Sequence, residues 1–125
     1  MIKGSCLCGG VTWHSDASPR HSVACHCTQC RKTSGHYWSA TQVPTDSLHM
    51  PKSDTLRWFQ SSPSARRGFC ATCGASLFWE TTGEGMTSIA SGSIDGPSGL
   101  NTAKHIFTND KGDYYELCET LPQTP

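Results

Sequence analysis

Apolar and polar positions alternate along this chain in short runs, each closed by a segment rich in glycine, proline or serine. Runs of this length with turn residues between them predict many short strands. The Gly9-Gly10 pair followed by Val11-Thr12-Trp13 predicts a hairpin whose turn carries Cys6 and Cys8. Residues 15–20 are polar, include Pro19 and predict a loop, and Val23-Ala24 predicts a short strand. Residues 37–43 predict a strand stopped by Pro44, and residues 46–52, with Pro51, predict a turn region. Strands are predicted at 55–60, where the alternation is partial, and at 65–69, running into Cys70. Residues 76–81 and 86–91 flank Gly83-Glu84-Gly85 and predict a second hairpin. After a turn over 96–99, residues 104–108 predict a last core strand, and the tail is expected to pack through Tyr114, Tyr115, Leu117 and Leu121 and to fray over 122–125. One short helical turn is predicted, over 28–33, capped by Thr28 or Ser22 and ended by Gly35. The fold class is therefore all-β, a single domain over residues 1–125 built of several short antiparallel sheets with one helical turn.

Composition changes this picture in one respect. Only 35% of the 125 residues are hydrophobic, a thin supply for a core, and a small polar chain of this kind needs a covalent or metal staple. The formal net charge is zero, so no basic stripe is present to bind nucleic acid by phosphate neutralisation. No apolar run approaches a membrane span, and residues 1–5 carry no apolar segment of a signal peptide. The expectation is a cytoplasmic protein with reduced thiols, in which cysteine spacing signals metal or redox chemistry rather than disulfides.

Seven of the eight cysteines fall into three clusters: Cys6 and Cys8; Cys25, Cys27 and Cys30; Cys70 and Cys73. In Cys70-Ala71-Thr72-Cys73-Gly74 and Cys6-Leu7-Cys8-Gly9 the glycine relaxes the backbone after the second thiolate, and two such pairs make one closed tetrahedral S₄ site, which favours structural zinc. That pairing leaves Cys25, Cys27 and Cys30. Three protein ligands with an open fourth position mark a reactive zinc site. Arg31 and Lys32 follow directly and offset part of the negative charge of a zinc trithiolate. The alternative is that His26 or another histidine closes the second site and all seven cysteines are structural. A disulfide framework suits C-x-C geometry poorly, and a thioredoxin-like role for Cys70 and Cys73 lacks its α/β context.

These motifs carry a resemblance. Gly4-Ser5-Cys6-Leu7-Cys8-Gly9-Gly10-Val11, the stretch from Cys25 to Gly35, Phe69-Cys70-Ala71-Thr72-Cys73-Gly74, Gly92-Ser93-Ile94-Asp95 and His105-Ile106-Phe107 together resemble the glutathione-dependent formaldehyde-activating enzyme family, also called the centromere protein V domain family. The resemblance covers nearly the whole chain. It implies a zinc-stapled β-tent, with structural zinc on Cys6, Cys8, Cys70 and Cys73 and a reactive zinc on Cys25, Cys27 and Cys30. It further implies a carbon–sulfur lyase-type activity, addition of glutathione or a similar thiol to formaldehyde or a related small aldehyde. Two zinc ions and glutathione as co-substrate are then expected, with small thiols and aldehydes as partners and neither nucleic acid nor membrane. The other reading is a non-enzymatic, zinc-stabilised module that binds a small ligand or a protein. Where the family often has Trp and then Asp near the C-terminus, this chain has Tyr114-Tyr115 and Cys118, the latter expected as a half-buried structural thiol.

Among the remaining residues, Trp13, Trp38, Trp58 and Trp79 are expected to pack between strands, with Trp38 and Tyr37 as candidates to wall the open zinc position. His105 is expected to be a hydrogen-bonded core residue. His14, His21, His36 and His49 show no metal spacing. Arg66-Arg67 is expected to be a solvated pair, with a glutathione carboxylate as its alternative partner. His26, Thr28, Ser34 and backbone N–H groups after Cys30 are candidates to stabilise a developing alkoxide.

Overall fold

Strand patterning predicts several short antiparallel sheets, and the computed structural model, which describes all residues Met1–Pro125, contains two sheets. Strands β1 (Ile2–Ser5), β2 (Thr12–Ser15) and β5 (Leu48–Lys52) form a three-stranded antiparallel sheet in the order β1-β2-β5. The larger sheet has seven strands: β3 (Ser22–Cys25), β4 (Trp38–Pro44), β6 (Leu56–Gln60), β7 (Ala65–Cys70), β8 (Ser76–Thr81), β9 (Met86–Ala90) and β10 (Thr102–Ile106), in the order β10-β3-β4-β9-β8-β7-β6. All its pairings are antiparallel except β10 with β3, where Lys104 stands beside Val23 and Ile106 beside Cys25. No helix is long and apolar enough to cross a membrane.

The one α-helix, α1 (Thr28–Ser34), leaves β3 almost at once. Its N-cap is neither Thr28 nor Ser22. Thr28 is already helical, Ser22 is buried in β3, and the Cys27 sulfur accepts the Cys30 N–H instead. At the other end Gly35, at φ 87°, gives its N–H to the Arg31 carbonyl at 2.9 Å, which is the predicted stop.

Two expectations fail for physical reasons. Residues 46–52 are not a turn region: a 3₁₀ turn at Thr45–Ser47 leads directly into β5. Leu48 and Met50 pack against the main core, and Pro51 is tolerated because β5 is an edge strand, where a missing N–H breaks no ladder. The last residues do not fray. Pro122 accepts from His105 N–H, Thr124 donates to the His105 carbonyl, and Thr108 donates to the Thr124 carbonyl, at 2.9–3.1 Å. The terminus thereby covers the otherwise open edge of β10.

The core is divided. Cys6, Val11, Trp13, Val43, Cys70, Leu77, Phe78 and Ile89 form the main cluster, and Cys30, Trp38, Ala40 and Ala90 a smaller one. Cys6 and Cys70 thus belong to the main cluster, and Cys30 to the smaller one. Trp13, 1% exposed, ties the smaller sheet to the 3₁₀ turn after β9 by donating its indole N–H to Ser93 Oγ at 3.2 Å, and Trp58 stacks on Phe78.

Candidate metal centres

The first thiol cluster is assembled from distant segments. Cys6 and Cys8 lie between β1 and β2, and Cys70 closes β7 with Cys73 in the turn that follows. Their four sulfurs lie within 4.8 Å of one another, and Cys8 Sγ is 3.6 Å from both Cys6 Sγ and Cys70 Sγ. Zn–S bonds of about 2.3 Å in a tetrahedron require sulfur separations of about 3.8 Å, so the donor set fits zinc. Gly9 and Gly74, each at φ 78° directly after the second cysteine, make both turns possible. Backbone N–H groups of Val11 and Cys73 point at the sulfurs of Cys6 and Cys70, at 3.2 and 3.5 Å. The Thr55 hydroxyl, 3.2 Å from Cys70 Sγ, and the Cys73 N–H hold the Cys70 thiol down at about 6. Donors aimed at a sulfur favour its thiolate, the form that binds metal.

The second cluster is local. Cys25 ends β3, Cys27 caps α1 and Cys30 lies in its first turn, and their three sulfurs lie within 4.8 Å of one another. Hydrogen bonding from Cys25 lowers the Cys30 thiol to about 6, with Cys27 and Arg67 adding to the effect. The same contact raises the Cys25 thiol. This trio also fits zinc in its donor chemistry, with three soft ligands and no fourth from the protein.

His26 does not close this site. Its ring is fully buried on the other side of the motif, with Nδ1 hydrogen-bonded to the Tyr115 hydroxyl and Nε2 2.8 Å from His105 Nδ1. Burial, with His105 adding, lowers its pKa to about 4, so the imidazole is neutral near pH 7. Tyr37 packs into this histidine–tyrosine group rather than against the thiols. His105 is the hydrogen-bonded core residue the strand pattern suggests.

Arg31 and Lys32 occupy the last turn of α1, where cations suit the helix dipole. Arg31 is half-buried and Lys32 exposed, and neither is hydrogen-bonded to a thiol of the trio. The cation that reaches the sulfurs is Arg67. It is 6% exposed and donates Nη2 to Cys30 Sγ at 3.5 Å and to Gln29 Oε1 at 3.3 Å. The expectation of a solvated Arg66-Arg67 pair therefore holds for Arg66, which bonds Glu80 at 2.9 Å, and fails for Arg67. The signal was present: consecutive residues of a strand face opposite sides, so one of two adjacent arginines on β7 turns inward.

A cavity of about 470 Å³ opens beside the trio, and all three of its cysteines line it. Trp38, Trp79, Val23, Ile106 and Phe107 supply its apolar walls, so of the two aromatic candidates Trp38 lines the cavity and Tyr37 does not. Arg20, Lys104 and Phe107 also line it, and sequence reasoning gave none of them a role there. A cavity of about 680 Å³, lined by Cys6 and several serines, shares Trp38 with the first, but none of Cys25, Cys27 and Cys30 lines it. Cys118, expected half-buried, is exposed beside Thr120 and belongs to neither cluster.

Comparison with known proteins gives three findings. The sequence model of the glutathione-dependent formaldehyde-activating enzyme family matches residues 1–110. An uncharacterised lyase of Schizosaccharomyces pombe is 26% identical over 119 residues, covering 92% of this chain and 84% of that protein. A crystal structure of a Rhodobacter sphaeroides protein superposes with a TM-score of 0.59 at 23% identity, covering 79% of this chain and 90% of the other, a likeness of fold alone.

Proposed function

The chain belongs to the glutathione-dependent formaldehyde-activating enzyme family, and from that premise we propose that it is a zinc-dependent carbon–sulfur lyase-type enzyme that adds a thiol to a small aldehyde. One observation carries this reading: three cysteine sulfurs, gathered within 4.8 Å, line a cavity, while the nearest histidine in sequence is engaged elsewhere.

In this reading Cys6, Cys8, Cys70 and Cys73 hold a structural zinc, and Cys25, Cys27 and Cys30 hold a reactive one. Zinc held by the trio would supply Lewis acidity, lowering the pKa of a bound thiol. The chain's own residues do the rest. Arg67 sets a buried positive charge against Cys30 and supports the thiolate form of the ligand set. Trp38 and Trp79 wall the cavity and exclude water from the reacting atoms. Arg31 and Lys32 add positive potential from the end of α1. In the net reaction the thiol sulfur forms a bond to the carbonyl carbon, the carbonyl π pair passes to oxygen, and the proton lost from sulfur ends on that oxygen. Glutathione and formaldehyde, named in the family's description, are the reference pair.

Two measurements test the proposal. Metal analysis is expected to give about two zinc ions per chain, four thiolates holding one and three the other. Cobalt-substituted protein is expected to change its d–d absorption when a thiol is added. A protein that holds one ion, or whose second centre ignores thiols, is instead a zinc-stabilised binding module, and the enzyme reading fails.

A further inference from the structure

The cavity beside the trio has a composition that restricts what it can accept. Its lining surface is mostly apolar, from Val23, Ala40, Ile106 and Phe107 together with the tryptophan rings. Gln29, Gln42, Ser62 and Ser88 are its neutral polar groups. Its charged residues are Arg20, Arg67 and Lys104, and no aspartate or glutamate lines it. Arg67 faces the Cys30 sulfur, whereas Arg20 and Lys104 make no salt bridge, the protein's one joining Arg66 to Glu80. Arg20 Nε and Arg67 Nε and Nη1 are buried without a hydrogen-bond partner. Unpartnered cationic N–H groups around an apolar cavity favour an anion. Lys104 and Arg20 both line this cavity, Lys104 from β10 and Arg20 from the segment just before β3.

The rim repeats the theme. Phe107, 51% exposed, is the chain's single non-glycine residue in the left-handed region, at φ 54°. Its backbone conformation places a large apolar ring at the cavity edge, one residue beyond β10. Formaldehyde, with two heavy atoms, leaves most of about 470 Å³ unfilled, so the cavity's size and surface are set by the thiol partner.

We infer that the thiol taken at the trio has an apolar body and a carboxylate end, and carries no ammonium group. Glutathione is a poorer match. Its two carboxylates suit the cations, but its α-ammonium finds no carboxylate among the lining residues, and its polar peptide body meets a lining surface that is mostly apolar. The inference rests on the trio being the thiol-accepting centre proposed above, and it goes further by naming the class of thiol.

The test uses full-length protein loaded with cobalt at both centres, with the d–d bands reporting thiol binding. Four probes separate the terms: 4-(mercaptomethyl)benzoate, its 4-(aminomethyl) counterpart, uncharged phenylmethanethiol, and glutathione. The benzoate is expected to bind about tenfold more tightly than either the amine or glutathione, with phenylmethanethiol between, as one partly screened ion pair and a buried ring require. Arg20→Gln and Lys104→Gln are each expected to shrink the preference for benzoate over amine. Lys104 is exposed, so that variant reads out even where Arg20→Gln fails to fold. Equal binding of benzoate and amine, glutathione binding as tightly as benzoate, or an unchanged preference in both variants overturns the inference and leaves the enzyme reading standing. Bands that respond to none of the four thiols overturn both.

Discussion

At residue 67 a guanidinium lies buried 3.5 Å from a cysteine sulfur. A buried cation without a counter-charge costs several kcal/mol, so its placement ties it to the thiolates it faces. Replacing it by methionine keeps the length and removes the charge. Arg67→Met is expected to weaken metal binding at the trio by about 10- to 100-fold, the usual effect of losing a group that supports a ligand. Competition with a chelator measures this, and the four-cysteine centre serves as internal control. Arg66→Met, by contrast, removes an exposed ion pair and a cation–π contact with Trp58 at 3.8 Å, and thermal unfolding is expected to register about 1–2 kcal/mol or less. Residue spacing made the cysteine clusters legible, because ligands two or three positions apart must converge on one point whatever surrounds them. It left Arg67 illegible: which of two neighbouring arginines turns inward depends on how β7 pairs with β6 and β8, and that is fixed by contacts far along the chain.

Among the elements, α1 is a helix of seven residues whose cap is a metal-ligand candidate. Cys27→Ser separates the two jobs. A serine oxygen caps a helix well but is a poor soft ligand. Zinc per chain is therefore expected to fall from about two to about one, while circular dichroism stays that of the parent. Retention of both ions would show that Cys27 is not a ligand. The cap itself was misread because serine and threonine are the usual choices and a sulfur is rarely considered. β5 was misread because Pro51 masks the alternation of Leu48 and Met50, and only its place at a sheet edge makes that proline harmless. The tail was misread because its hydrogen bonds are long-range, to β10 and the turn beyond it, and carry no local sequence signal. The hairpins around Gly9-Gly10 and Gly83-Glu84-Gly85 were readable, since turn and strand signals are both local there.

For the molecule as a whole, the two thiol clusters differ in what depends on them. Cys6 and Cys70 are 4% and 0% exposed and belong to the main core, so a centre there joins both sheets. Cys70→Ala is expected to leave a protein that does not fold cooperatively, because structural zinc contributes folding free energy of about 10 kcal/mol or more. Cys25→Ala is expected to fold with one ion and to unfold at a temperature within several degrees of the parent. Calorimetry on the two variants, with metal analysis alongside, decides the point. Equal losses in both would mean that the smaller cluster also holds the scaffold together. Stepwise removal of metal by a chelator is expected to show the same order, the trio emptying first with the fold intact.

The two centres also differ in when their ligands come into being. Cys8 and Cys70 stand 62 positions apart, whereas the trio lies between Cys25 and Cys30. A chain growing from its N-terminus therefore completes the short-range binding set long before the long-range one, and closing the longer loop carries the larger entropic penalty. The four-cysteine set is complete only after β7 has been made. If both clusters take metal as proposed, the trio is expected to load before the four-cysteine centre during synthesis, an order that metal analysis of stalled nascent chains would check.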